Sequence, residues 1–205
     1  KERYATIPIT LEQGLSLFDL TTNEDDRPDP GHQPSGPGKK GLPQPIHPRI
    51  KIAILLAAFS GLRKGEIIGL RWEKLDLGAC KRVNVDQQIA DGSSKLSPPK
   101  DSSIRQTVLL DALIEELKAY AKRSPYGKTG FVLADWRLTS ETPISAHAID
   151  RGWRAAKKQL GLDTTLRFHD LRHFFISYCF SQGLPVTSIA QLAGQASIKV
   201  TALRY

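Results

Sequence analysis

The chain has 205 residues with 29 Lys+Arg against 21 Asp+Glu, which allows one large domain or two small ones. Its formal charge of +8 favours a polyanionic partner, nucleic acid before membrane. Hydrophobic residues make up 40%, enough for an ordinary core, so disorder throughout is excluded; the longest apolar run, residues 50–62, is broken by Lys51 and Ser60 and is too short to cross a bilayer.

Thr10 with Gln13 forms a capping-box pattern and, followed by Leu15, Leu17, Phe18 and Leu20, predicts a first helix ending near Thr21. Residues 28–48 hold eleven Pro or Gly in twenty-one positions, too few apolar groups to repay ordering, and read as a mobile insertion spanning about 22–48. His32, His47 and the Lys39-Lys40 pair fall inside it and carry no case for function. Residues 50–62 predict a buried helix, and 65–70 a short second one. Alternation over 82–89, with Val83, Val85 and Gln87 on one side, predicts a strand, and Asp91-Gly92 a hairpin turn. Residues 95–96 and 105–109 complete a small three-stranded antiparallel sheet. Leu113, Ile114, Leu117 and Tyr120 mark a helical stripe; Ser145 caps a helix through Leu160 that Gly161 stops; a further helix runs from His169 to Gln182, a short one over 186–192, and a last turn leads to Tyr205. The fold class expected is mainly α with one small sheet. Trp72, Trp136 and Trp153 are expected in the core and not as base-stacking platforms.

The charge is uneven. Residues 1–50 carry 6 basic and 7 acidic groups, 51–150 carry 15 and 12, and 151–205 carry 8 and 2, so a phosphate backbone is drawn to the C-terminal quarter. There Arg151, Arg154, Lys157 and Lys158 recur along one helix and are expected to contact DNA. Cys80 and Cys179 match no metal spacing, which fits free thiols in a reducing, cytoplasmic compartment and no structural metal.

Two short clusters carry chemistry. In Phe168-His169-Asp170-Leu171-Arg172-His173 the three basic side chains share one helix face near its N-terminus, an arrangement suited to clamping a phosphate. The two histidines also have a metal-site spacing, but no Glu follows His169 and no third ligand is in view; an amphipathic helix with partly buried histidines fits the hexapeptide as well. In Gly61-Leu62-Arg63-Lys64-Gly65-Glu66 an arginine sits at a helix junction with a carboxylate three residues on. A surface ion pair accounts for that cluster alone.

Together these residues resemble the catalytic domain of the tyrosine recombinases, the phage-type integrase family. Arg63 and Glu66 match its Gly-Leu-Arg-x-x-Glu; Pro99-Lys100, Ser103, Arg105, Val108 and Leu110 match its lysine hairpin; His169, Arg172 and His173 match its His-x-x-Arg-His; and Gly194, Ser197, Ile198, Thr201 and Tyr205 follow its C-terminal order. The resemblance covers residues 8–205. Three departures accompany it: Gln195 stands where His or Trp is usual, Tyr205 lies ten residues beyond Gln195 where nine is commoner, and residues 28–48 look inserted.

The resemblance implies the DNA breaking-rejoining fold and site-specific recombination through a 3′-phosphotyrosyl link at Tyr205. Arg63 and Arg172 would meet the non-bridging phosphate oxygens, His169 would take the tyrosine proton or orient its hydroxyl, Lys100 would protonate the leaving 5′ oxygen, and Gln195 would donate one hydrogen bond to the phosphate. Glu66 and His173 would support them, His173 by bonding Glu66. Rejoining would need no ATP, metal or other cofactor. The partners implied are double-stranded DNA and further copies of the protein, four at synapsis, with no membrane and a place at the nucleoid. The chain, which contains no Met, is expected to belong to a longer recombinase with N-terminal DNA-binding domains and a C-terminal tail. A type IB topoisomerase, an inactive DNA-binding relative and a purely structural helical domain are the rival readings.

Overall fold

Helix α2 (Pro48–Ser60) is the axis on which most of the other helices pack. In the computed structural model, which describes residues 9–23, 45–100 and 104–195, each residue from Ile52 to Ser60 is buried. A helix with no polar face must be surrounded. Around it lie α4 (Asp111–Arg123), α5 (Ala146–Gln159) and α6 (Asp170–Ser181). His47 caps α2, its Nδ1 accepting from the Arg49 amide at 3.1 Å, and Pro48 takes the first helical position, where a missing N–H is no loss. His47 therefore belongs to the helix start and not to the inserted loop. The rest of that insertion, residues 24–44, lies outside the described residues; its flanks meet in a parallel bridge between Thr22 and Ile46.

The first helix is shorter than expected. The capping box at Thr10 and Gln13 is present, but α1 (Leu11–Leu15) tightens into a 3₁₀ turn over Ser16–Asp19, where the Ser16 hydroxyl donates to the Gln13 carbonyl at 2.8 Å. After α2, Gly61 adopts a left-handed φ of 67° and the chain enters α3 (Lys64–Ile68).

The sheet departs further from expectation. Strand β1 (Leu75–Asp76), which no alternation announced, pairs with β2 (Arg82–Val85), and β2 pairs with β5 (Arg105–Val108), Val83 opposite Thr107 and Val85 opposite Arg105. The run expected as one strand over 82–89 breaks after Val85. Asp86 turns to Lys74, and the Gln87 side chain donates to the Gly69 carbonyl at 2.8 Å instead of continuing the buried face of Val83 and Val85. Past the break, β3 (Gln88–Ile89) and β4 (Leu96–Ser97) pair in a ladder of their own. This hairpin packs on α3, with the Ile89 carbonyl so near Gly65 that a Cβ there would lie 2.7 Å from it.

The expected stripe of α4 is buried. Tyr120 stacks between Trp72 and Trp136, with centroids 6.1 and 5.9 Å away, and donates to the Val132 carbonyl. The Trp153 indole donates to the Leu166 carbonyl at 3.1 Å, so all three tryptophans are core residues. The Ser145 hydroxyl caps α5 by accepting from Ala148. Finally α7 (Val186–Ala193) packs on α6 and β5 through Phe175, Ile176, Cys179, Ile189 and Ala193. Among the described residues no helix is long and apolar enough to cross a membrane, and Cys80 and Cys179 are free thiols.

Gly61 is held by two constraints at once: its left-handed backbone, and Phe175, whose Cδ1 would lie 2.4 Å from a Cβ. Gly61→Ala should destabilise the protein by about 1–2 kcal/mol from the backbone alone, with the clash adding to that. Urea unfolding would show an unchanged midpoint if this account were wrong.

Candidate active site

The C-terminal end of a helix leaves carbonyls without intrahelical partners and carries the negative end of the helix dipole. At the end of α7 three consecutive carbonyls each accept from an arginine. Arg105 Nε, from β5, donates to Leu192 at 2.9 Å; Arg172, from the first turn of α6, donates to Ala193; and Arg63, from the junction of α2 and α3, donates to Gly194 at 2.6 Å. A second bond from Arg172 reaches the Gly61 carbonyl. Gly194 turns left-handed at φ 60°, and Gln195 follows it, half-buried, with its amide on the Ala190 carbonyl.

Glu66 lies under this cluster, 1% exposed. One carboxylate oxygen takes Arg63 Nη1 at 2.9 Å and Arg105 Nη1 at 2.8 Å; the other takes the Arg63 amide and Arg105 Nη2, both at 2.7 Å. Burial pushes this carboxyl up, but the hydrogen bonds and charge of Arg105, followed by those of Arg63, hold it below the ordinary carboxylate range. Glu66 thus bonds both the backbone and the guanidinium of Arg63.

His169 stands at the N-cap of α6, its ring edge-on to His173 at 5.0 Å. The residue as a whole is exposed. Desolvation, followed by the charges of His173 and Arg172, pushes its imidazolium down to about 4. At neutral pH the ring is uncharged and able to accept a proton. Behind it Asp170 is buried and accepts from the Arg167 amide at 2.7 Å and its guanidinium at 3.0 Å.

The remaining expected residues divide. Lys100 is exposed where the chain leaves the β3–β4 hairpin, just after buried Pro99. Tyr205 lies outside the described residues, as do Ser197, Ile198, Thr201 and Ser103. On α5, Arg151, Arg154 and Lys158 are exposed. Lys157 corrects the expectation of a DNA-facing side chain: it is 6% exposed, donates to the Thr164 and Leu166 carbonyls, and lies 6.0 Å from the Trp153 ring centroid. Lys158 on the outer face is one residue away, a rotation of about 100° on a helix.

Arg105 is the member of the site to which the sequence alone assigned no role. The sequence carried no such signal: Arg105 and Thr107 take the inward positions of β5 while Gln106 and the apolar Val108 face out, and only the structure shows that the inward arginine meets the buried acid it requires.

The sequence matches the model of the phage integrase family over residues 39–205. The chain belongs to that family. It is 28% identical over 178 residues to a tyrosine recombinase XerC-like protein of Caldanaerobacter subterraneus, covering 77% of this chain and 45% of the relative. It is 27% identical over 156 residues to the integrase of Salmonella phage P22, covering 74% and 37%. The chain thus spans less than half the length of these relatives. Its fold is similar to that of the Tn1549 transposon integrase solved with a circular intermediate DNA, at a TM-score of 0.75 and 17% identity over all of this chain and 63% of the other. It is also similar to XerA recombinase, at 0.69 and 17% over all of this chain and 60% of that one. A mostly helical integrase fold with a small antiparallel sheet is therefore shown.

In DNA-free protein, the His169 ring should titrate by NMR with a midpoint near 4, well under the ordinary 6.5. The neutral form then prevails at every pH above that midpoint. A midpoint near 6.5 would mean that the ring is neither desolvated nor influenced by Arg172.

Proposed function

We propose that this integrase-family chain cuts and rejoins DNA site-specifically through a covalent link between Tyr205 and a 3′ phosphate. The observation that carries the proposal is the convergence of Arg63 and Arg172 on the adjacent carbonyls of Gly194 and Ala193 at the end of α7, eleven and twelve residues before Tyr205 in the chain, beside a histidine held neutral. The relatives support it: one is named an integrase, another a tyrosine recombinase, and the Tn1549 integrase was solved on DNA.

The chemistry follows from the groups. The Tyr205 oxygen attacks phosphorus, and the bond from phosphorus to the 5′ oxygen breaks. His169 accepts the phenolic proton, and Lys100 gives one to the departing 5′ oxygen, so protons balance and no nucleotide is consumed. As the phenolate joins a phosphodiester, charge on the non-bridging oxygens rises toward two. Three guanidinium groups against the one Glu66 carboxylate leave the cluster with two net positive charges, a match for that transition state. Gln195 adds a neutral amide at the same helix end. Rejoining runs the steps in reverse with a 5′ hydroxyl as nucleophile.

Double-stranded DNA is the substrate, tracked on the outer face of α5 by Arg151, Arg154 and Lys158. Further copies assemble on it, four at synapsis, at the nucleoid of the cytoplasm.

On nicked DNA the protein should form an SDS-resistant adduct in EDTA that Tyr205→Phe abolishes; an adduct that survives this change would remove Tyr205 as nucleophile. Lys100→Ala should cleave ordinary DNA poorly but recover on a 5′-bridging phosphorothiolate, whose sulfur leaves without a proton. Equal losses on both substrates would make Lys100 a binding residue. Replacing Arg151, Arg154 and Lys158 by Ala should lower the slope of log affinity against log salt by up to about 0.9 for each phosphate no longer neutralised, whereas Lys157→Ala should leave the slope alone and lower the unfolding midpoint. The reverse pattern would return the outer face to solvent.

A further inference from the structure

Arg105 is buried, with 3% of its side chain exposed, yet all its described bonds lead to parts of the proposed cleavage site. Two of its nitrogens hold both oxygens of Glu66, and a third holds the Leu192 carbonyl. Glu66 in turn holds the backbone and guanidinium of Arg63. One planar group therefore joins the junction that bears Arg63 to the helix end that leads toward Gln195 and Tyr205.

We propose that Arg105 is a positioning residue for strand cleavage: through Glu66 it sets the direction of the Arg63 guanidinium, and through Leu192 it sets the register of the α7 terminus against that guanidinium. This rests on the strand-cleaving function proposed for the site. The geometry requires arginine. Lysine can neutralise Glu66, but its single ammonium cannot reproduce a bidentate fork and a third bond at a fixed angle. Without Arg105 the buried Glu66 faces Arg63 alone. Its two oxygens then compete for that guanidinium or take up a proton, and either change turns Arg63 away from Gly194.

Gly194 belongs to the same device. A Cβ there would lie 2.7 Å from Arg105 Cδ and 2.8 Å from Nη1, so the Arg105 side chain passes beneath the turn only because glycine occupies it. A substitution at Gly194 disturbs Arg105 without removing any of its atoms.

The test compares wild type, Arg105→Gln, Arg105→Lys and Gly194→Ala in single-turnover adduct formation on nicked DNA, with DNA affinity measured separately. Arg105→Gln should slow the covalent step by roughly 10- to 100-fold at saturating DNA while affinity changes by less than about threefold, a difference of under about 0.7 kcal/mol. In the wild type the Glu66 carboxyl lies below the ordinary range and stays ionised through weakly acid pH. In Arg105→Gln it should rise, so cleavage acquires an additional decline as pH falls, which Arg105→Lys should largely remove while restoring only part of the rate. A rate equal to wild type, or a loss of affinity equal to the loss of rate, overturns the positioning role. The pair is also read without DNA, by ¹³C titration of the Glu66 carboxyl in each protein: an upward shift in Arg105→Gln supports the proposal, and an unmoved midpoint overturns it. If Arg105→Gln fails to fold, Arg105→Lys carries the same comparison. Wild-type protein that forms no adduct refutes the strand-cleaving function itself, a result distinct from a wild type that cleaves beside a variant that cleaves equally well.

Discussion

A carboxylate in the protein interior is tolerable only if its charge is matched and its lone pairs are filled. Glu66 meets that condition through Arg63 and Arg105, and much of the site's geometry stems from it. The side chain belongs to α3, its partners to the α2–α3 junction and to β5, and those partners also bond the last carbonyls of α7. A helix, a strand and a helix terminus are thereby held around one anion. Removing a member would leave a buried charge uncompensated, which costs far more than the loss of a surface pair.

The same cluster explains how several cationic groups coexist in a small volume. Arg63, Arg105 and Arg172 repel one another, and three things offset that repulsion: the Glu66 charge, the carbonyls of Gly61, Leu192, Ala193 and Gly194, and the neutrality of His169. The arginine planes are anchored by groups on the protein and need little reorganisation to receive an anion. Such preorganisation makes fixed donors effective where charge develops. The two shifts have separate causes: His169 is depressed first by desolvation and then by the charges of His173 and Arg172, whereas Glu66 is held down by Arg105 and Arg63.

Helix α5 shows the limit of reading charge as function. Four basic residues recur in it, but Ile149, Trp153 and Ala156 define the buried side, and Lys157 follows Ala156 into the interior. Its ammonium serves two carbonyls of the segment leading to His169. A cation that looks like a DNA contact in the sequence is thus a tie between α5 and the approach to α6.

Periodicity and turn chemistry were sufficient for the helices other than the first, which tightens into a 3₁₀ turn after Leu15. The apolar run at 52–59 has no polar face, the stripe of α4 repeats at helical spacing, and Thr10, Ser145 and Gly61 are local signals whose physics acts within a few residues. Arg63, Glu66, His169 and Arg172 were legible as one site only through the resemblance of the motif order to the integrase family, since each short cluster taken alone fitted a structural reading as well. Other features lay beyond the sequence because they depend on partners distant in the chain. The strand at 82–89 divides because Gln87 finds the Gly69 carbonyl and Asp86 finds Lys74, β1 exists only because β2 pairs with it, and the role of Lys157 depends on where 164–166 runs. Arg105 is separated from Glu66 by 39 residues. Local sequence determines which way a side chain leaves its strand, but only the packing of β5 against α3 and α7 decided that this arginine meets a buried acid, because an ion pair is set by distance in space and not by distance along the chain.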